Sequence, residues 1–302
     1  MSKIGFVYPG QGAQKVGMGK DFLTLEILNK AKLAVGIDFN EIILEENELI
    51  NQTKYTQPAI LLIEMLITDE LIKSGIKPDL AAGLSLGEYG AIYASGGIEF
   101  YDALKAVSVR GKLMEEAVPL GVGTMAAILG LTGDKVEKVV SEIDGITVAN
   151  YNTDTQIIIT GKQMHMEEAI TKLKLSGAKM CKELNVSGPF HSPMLIPAGE
   201  KLREALDNVD ICDMKVPYVA NVTAKIVNDK SEVRELLEKQ VSSPVRWADS
   251  VKLMIEEGVD TFIEIGPSKT LTNMIKKIDK RVKIYNVETR EDLEKLRGEL
   301  NA

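Results

Sequence analysis

Short apolar runs cut off by glycine or proline constrain this chain most. Ile4–Tyr8 is stopped by Pro9-Gly10, and Val259–Ile265 is stopped by Gly266-Pro267. Leu80–Leu84 is a third short apolar run, and Val282–Val287 reads as another strand. Runs this short and this apolar read as strands buried on both faces. Between the first and third lies a stretch with helical spacing. Pro58 suits a first turn, Gly75 suits a stop, and Ile60, Ile63, Leu66, Ile67 and Leu71 share a face, so a helix is expected over 58–74. Another helix is expected from Gly87 to Ala94. Buried strands alternating with helices predict an α/β fold with a mostly parallel sheet.

The texture changes near residue 121. GVGTMAAILGL at 121–131 reads as a strand, Gly133–Glu142 as a helix opened by Asp134, and Ile146–Tyr151 and Gln156–Thr160 as strands. Asn152-Thr153-Asp154 reads as their turn. Met164–Leu175 reads as a helix and Ala178–Leu184 as a strand. The order β-α-β-β-α-β predicts a ferredoxin-like unit. Because α/β texture resumes afterwards, an insertion is expected: residues 121–188 as a small subdomain, with 1–120 and 189–302 as the large one.

Composition narrows the function classes. The 302 residues carry 36 Lys plus Arg against 44 Asp plus Glu, a net charge of −8. That balance argues against broad nucleic-acid or membrane binding. A single Trp offers little for base stacking, and no apolar run is long enough for a membrane span. Cys181 and Cys212 form no C-x-x-C pattern, so reduced thiols in a cytoplasmic protein are expected. The N-terminal apolar run is too short for a signal peptide. With two His in the chain no metal-ligand cluster is expected.

GLSLG at 83–87 matches G-x-S-x-G, a weak pattern alone. Its context strengthens it, because a strand precedes it and a helix follows. Such a turn holds Ser85 at its tip and aims helix N–H groups at a developing oxyanion, as in an α/β-hydrolase-like large subdomain. The plainer reading is a Ser N-cap. A serine nucleophile needs a base, and the chain offers His165 and His191. His165 sits at a predicted helix start beside Glu167 and Glu168 and reads as a surface residue. His191 lies in PFHSP, where the insertion would rejoin the large subdomain. Gln11 follows the first strand, where a second oxyanion donor is usually recruited. Arg110 alone would read as a surface cation.

Together these segments resemble malonyl-CoA:acyl-carrier-protein transacylases. The resemblance rests on FVYPGQGAQ at 6–14, TQPAIL at 56–61, GLSLGEY at 83–89, RGKLMEEAVP at 110–119, PFHSPM at 189–194, PYVANVTA at 217–224, QVSSPVRW at 240–247 and EIGPSKTL at 264–271. It implies Ser85 as nucleophile, His191 as general base, and the backbone N–H groups of Gln11 and Leu86 as oxyanion donors. It also implies that Arg110 pairs with the free malonyl carboxylate, that Gln57 helps position Arg110, and that a backbone carbonyl near Gln240 orients His191. The implied partners are malonyl-CoA and acyl carrier protein, with no cofactor or metal, and a monomer is expected. Leu84 stands where the family usually has His, which leaves the pocket wall less polar. Lys112, Lys179 and Lys182, and the basic segment 276–283, are candidates to meet an acidic carrier. Two rival readings are an esterase-type hydrolase, which would add an Asp or Glu between Ser and His in chain order, and a non-catalytic carrier-binding module, which would lack Ser85 or His191.

Overall fold

In the computed structural model, which describes residues 2–300, the central strand is β1 (Lys3–Tyr8). Along the chain follow α1 (Leu25–Val35), α2 (Thr53–Lys73), β2 (Leu80–Gly83), α3 (Gly87–Ala94) and α4 (Phe100–Glu116). Next come β3 (Gly123–Leu129), α5 (Gly133–Val140), β4 (Ile146–Thr153), β5 (Gln156–Lys162), α6 (Gln163–Leu175) and β6 (Met180–Glu183). The chain ends with α7 (Ile196–Leu206), β7 (Tyr218–Val219), β8 (Ile226–Val227), α8 (Lys230–Gln240), α9 (Trp247–Glu256), β9 (Val259–Ile265), α10 (Thr270–Ile278), β10 (Lys283–Val287) and α11 (Arg290–Leu300).

The first sheet has the order β10-β9-β1-β2-β7-β8, and only the edge strand β8 runs antiparallel. Successive side chains of a strand point to opposite faces. Phe6 and Tyr8 accordingly enter one apolar core and Val7 the other. Both faces of β1 are covered, which is why its sequence is an unbroken apolar run.

Helix α2 departs from expectation in two ways. It begins at Thr53, so Pro58 lies inside it rather than in its first turn. The extra turn is held by tertiary contacts. Thr56 Oγ1 donates to the Ile50 carbonyl, and Glu115 on α4 accepts the Lys54 N–H at 3.2 Å. Helix α2 is also buried nearly all round, including Ala59 to Met65 without a break, so it is a core helix and not an amphipathic one.

The second sheet has the order β4-β5-β3-β6 and is antiparallel throughout. Ala126, Ile128, Ile157 and Ile159 pack against α5 and α6, whereas Met125 and Ile158 point the other way, into the large core. The β4–β5 turn lies at Asp154-Thr155, because pairing continues to Thr153 opposite Gln156. Strand β6 is shorter and more exposed than the run 178–184 predicts. Main-chain bonds tie β4 to the segment between α8 and α9: Tyr151 N–H donates to Val245 O at 2.9 Å, and Val245 N–H to Ala149 O at 2.8 Å. No helix among the described residues is long and apolar enough to cross a membrane.

Candidate active site

Strand β2 ends in a turn that glycine alone permits. Ser85 has φ +57°, in the left-handed region. A Cβ on Gly83 would lie 1.9 Å from the Gly87 carbonyl, and one on Gly87 would lie 2.1 Å from Tyr8 O. The two glycines of G-x-S-x-G therefore let the chain reverse tightly against the end of β1. Such a strained conformation persists only where its surroundings hold it.

His191 is the second non-glycine residue of the site with positive φ, at +60°. Its Nδ1 lies 2.8 Å from Gln240 O. A carbonyl can only accept, so Nδ1 carries the hydrogen and Nε2 presents a lone pair. That nitrogen lies 2.8 Å from Ser85 Oγ. Burial lowers the His191 pKa to about 4, with the nearby Arg110 charge adding to the effect. Around neutral pH the ring is therefore uncharged and able to take the Ser85 proton.

Arg110 projects from α4 and is fully buried. Its Nη2 donates to Ser85 Oγ at 3.1 Å and to Gln240 Oε1 at 2.7 Å, and its Nη1 donates to Gln57 Oε1 at 2.7 Å. Its Nε has no partner, and all three acceptors are neutral. Burial lowers its pKa, yet a guanidinium stays charged in a protein. The site thus holds a desolvated cation that forms no ion pair among the described residues. Such a charge is costly unless an anion completes it.

Gln11 and Leu86 sit beside the same turn. Among the described residues neither backbone N–H has an acceptor. Gln11 lines the main cavity, and its side chain donates to Thr53 Oγ1 at 3.1 Å. That cavity is about 730 Å³ and is walled by Leu84, Met125, Asn150, Ile158 and Phe190 besides Ser85 and His191. It lies between the two sheets. His165 is remote from it, on α6, with Nδ1 against the Asp144 carbonyl. Among the described residues no cluster of three or more side chains could hold a metal ion.

Sequence reasoning missed two residues. Asn221 and Glu88 are buried beside the turn; Asn221 accepts from the Ser85 N–H, and the Glu88 carboxyl accepts from the Asn221 N–H and Gln240 Nε2. They lie inside the segments PYVANVTA and GLSLGEY, but their residue types alone carry no signal of a role.

The model of the acyl transferase domain family matches residues 5–294. The chain belongs to that family. Its relatives include the malonyl CoA-acyl carrier protein transacylase of Bacillus subtilis (strain 168), 41% identical over 97% of this chain and 96% of the relative. Among solved structures, the malonyl CoA-acyl carrier protein transacylase from Clostridium perfringens superposes with a TM-score of 0.95 at 41% identity, covering 99% of this chain and 98% of that one. A malonyl-transacylase solved in complex with a type II polyketide-synthase acyl-carrier protein superposes with a TM-score of 0.93 at 34% identity, covering 97% of this chain and 98% of that one.

The acyltransferase site carries two opposed pH dependences. His191 falls from an ordinary 6.5 to about 4, so its contribution to stability is present above 6.5 and lost as pH falls through 4. Burial raises Glu88 from 4.5 to about 7, so its contribution is present below 4.5 and lost as pH rises through 7. For reactivity the expectation is direct. Labelling of Ser85 by an uncharged serine-directed reagent should lose its acid limb near pH 4. A midpoint at the ordinary 6.5 would show that His191 is neither buried nor shifted during the reaction.

Proposed function

We propose that this acyltransferase moves a malonyl group from malonyl-CoA to the pantetheine thiol of acyl carrier protein, through an ester on Ser85. The observation that carries this reading is Arg110, a buried guanidinium bonded to Ser85 Oγ and lacking an ion partner. An acyl group ending in a carboxylate would supply the missing charge, and the planar fork of Arg suits two-point pairing. The names of the relatives, malonyl CoA-acyl carrier protein transacylases, support the same substrate and the same partner. The malonyl-transacylase solved in complex with an acyl-carrier protein supports the partner further.

The chemistry runs in two half-reactions. Ser85 Oγ attacks the thioester carbonyl while its proton passes to His191 Nε2. The Gln11 and Leu86 N–H groups receive the oxyanion, which preorganised donors stabilise strongly. Collapse forms the malonyl ester, breaks the C–S bond and releases CoA, which takes the proton back from His191. The carrier thiol then gives its proton to His191 and attacks the ester carbonyl; collapse forms the carrier thioester and breaks the acyl C–O bond to Ser85, and Ser85 Oγ takes the proton back from His191. The Gln240 carbonyl steadies the ring in place of a carboxylate. A thiolate is a good leaving group, so a weakly polarised His suffices. Gln57 and Gln240 aim Arg110, and the reaction as assigned needs no cofactor.

The architecture supports the finer structural reading. The order β4-β5-β3-β6, with both helices on one face, is that of a ferredoxin-like subdomain over 121–188, set into an α/β-hydrolase-like catalytic subdomain of 1–120 and 189–302. The two cysteines are free, which suits the cytoplasm. Lys112, Lys179 and Lys182 are exposed and available to an acidic carrier.

The test is a direct incubation of protein, malonyl-CoA and pantetheinylated carrier protein. Malonylated carrier is the expected product. Free malonate with no carrier loading would replace this reading with that of a hydrolase.

A further inference from the structure

We infer that Asn221 is the positioning residue that holds Ser85 in its reactive conformation. This inference rests on the reading of Ser85 as nucleophile. Asn221 follows β7, the strand beside β2, and is 1% exposed. Its side-chain amide spans the turn. Gly83 O accepts from Asn221 Nδ2 at 2.6 Å, and the Ser85 N–H donates to Asn221 Oδ1 at 2.7 Å. These are the main-chain groups on either side of Leu84, at the point where the strand ends and φ turns positive.

The clamp continues into the rest of the site. The Asn221 N–H donates to Glu88 Oε2 at 3.3 Å, and Gln240 Nε2 donates to the same oxygen at 2.7 Å. Gln240 Nε2 also donates to Ser85 O at 2.8 Å. Ser85 is thus held at its N–H by Asn221 and at its carbonyl by Gln240, with Glu88 joining the two.

Two consequences follow for the chemistry. First, the Ser85 N–H is consumed by Asn221, whereas the Leu86 N–H has no acceptor among the described residues. The clamp therefore decides which N–H faces the oxyanion. Second, the left-handed backbone of Ser85 is strained and persists only while its surroundings hold it. Without Asn221 the turn can relax, and Oγ leaves its position 2.8 Å from His191 and 3.1 Å from Arg110. A displacement of about 1 Å is enough to cost on the order of 10²-fold in rate.

The test is single-turnover acylation by malonyl-CoA, read by rapid quench and intact mass, for wild type, Asn221→Ala and Asn221→Asp. The aspartate keeps an acceptor for the Ser85 N–H and serves if the alanine variant does not fold. The expected result is an acylation rate constant lower by about 10²-fold for Asn221→Ala and by a smaller factor for Asn221→Asp. Malonyl-CoA affinity should stay within about 3-fold, since Asn221 is absent from the cavity wall. Misfolded protein lowers the amplitude of the burst and leaves its rate constant unchanged. A wild-type rate constant in either folded variant would overturn the inference. Failure of the wild-type enzyme to form any ester would instead overturn the reading of Ser85.

Discussion

Ser85→Ala is expected to yield no malonyl adduct on incubation with malonyl-CoA, and carrier loading should fall by about 10⁴-fold or more. Ser85 Oγ is the group that both the His191 ring and the Arg110 fork address, at 2.8 and 3.1 Å. Among the described residues no other hydroxyl at the cavity wall is hydrogen-bonded to His191: Ser187 bonds to Thr53, and Thr270 accepts from Ser268. The variant should remain folded, because the Asn221 clamp acts on main-chain groups that alanine retains. Intact mass before and after malonyl-CoA is the measurement, with circular dichroism as the folding control. An adduct that persists in the folded variant would sink the assignment of the nucleophile.

Arg110→Ala is expected to divide substrates rather than disable the enzyme. Malonyl transfer should fall by about 10²- to 10³-fold in kcat/KM, the usual scale for truncating one side of a buried charge pair. Acetyl transfer should fall by less than about 10-fold, because an acetyl group has no carboxylate to lose. On the proposed reading the malonyl carboxylate supplies the anion that Arg110 lacks among the described residues, where its three acceptors are neutral. Arg110→Lys should behave more like alanine than like wild type, since one ammonium cannot reach Gln57, Gln240 and a carboxylate in one plane. Parallel transfer assays with malonyl-CoA and acetyl-CoA decide the matter. Equal losses for the two substrates would remove the carboxylate clamp from the mechanism.

Several features were legible in the residues because local rules govern them. β1 and β9 appear where apolar runs meet Pro-Gly and Gly-Pro, since a buried strand and its stop are both written locally. The two glycines around Ser85 are readable for the same reason, because no other residue fits that turn. Helix α2 shows where local rules give way. Its first turn precedes a proline and exists because Ile50 and Glu115 bond to it from outside. The β4–β5 turn moved by one residue, since cross-strand pairing outweighed the turn preference of Asn152.

By itself, the sequence determined the alternation of strands and helices, the β-α-β-β-α-β unit, the hydroxyl at the tip of a glycine turn and His191 as a candidate base. It also named Arg110 through resemblance. Only the tertiary structure decided that Arg110 is buried without an ion partner, that His191 is neutral, and that Asn221 grips the turn from another strand. The physical reason is that charge state and strain depend on what surrounds a group. Those surroundings are assembled from segments more than a hundred residues apart.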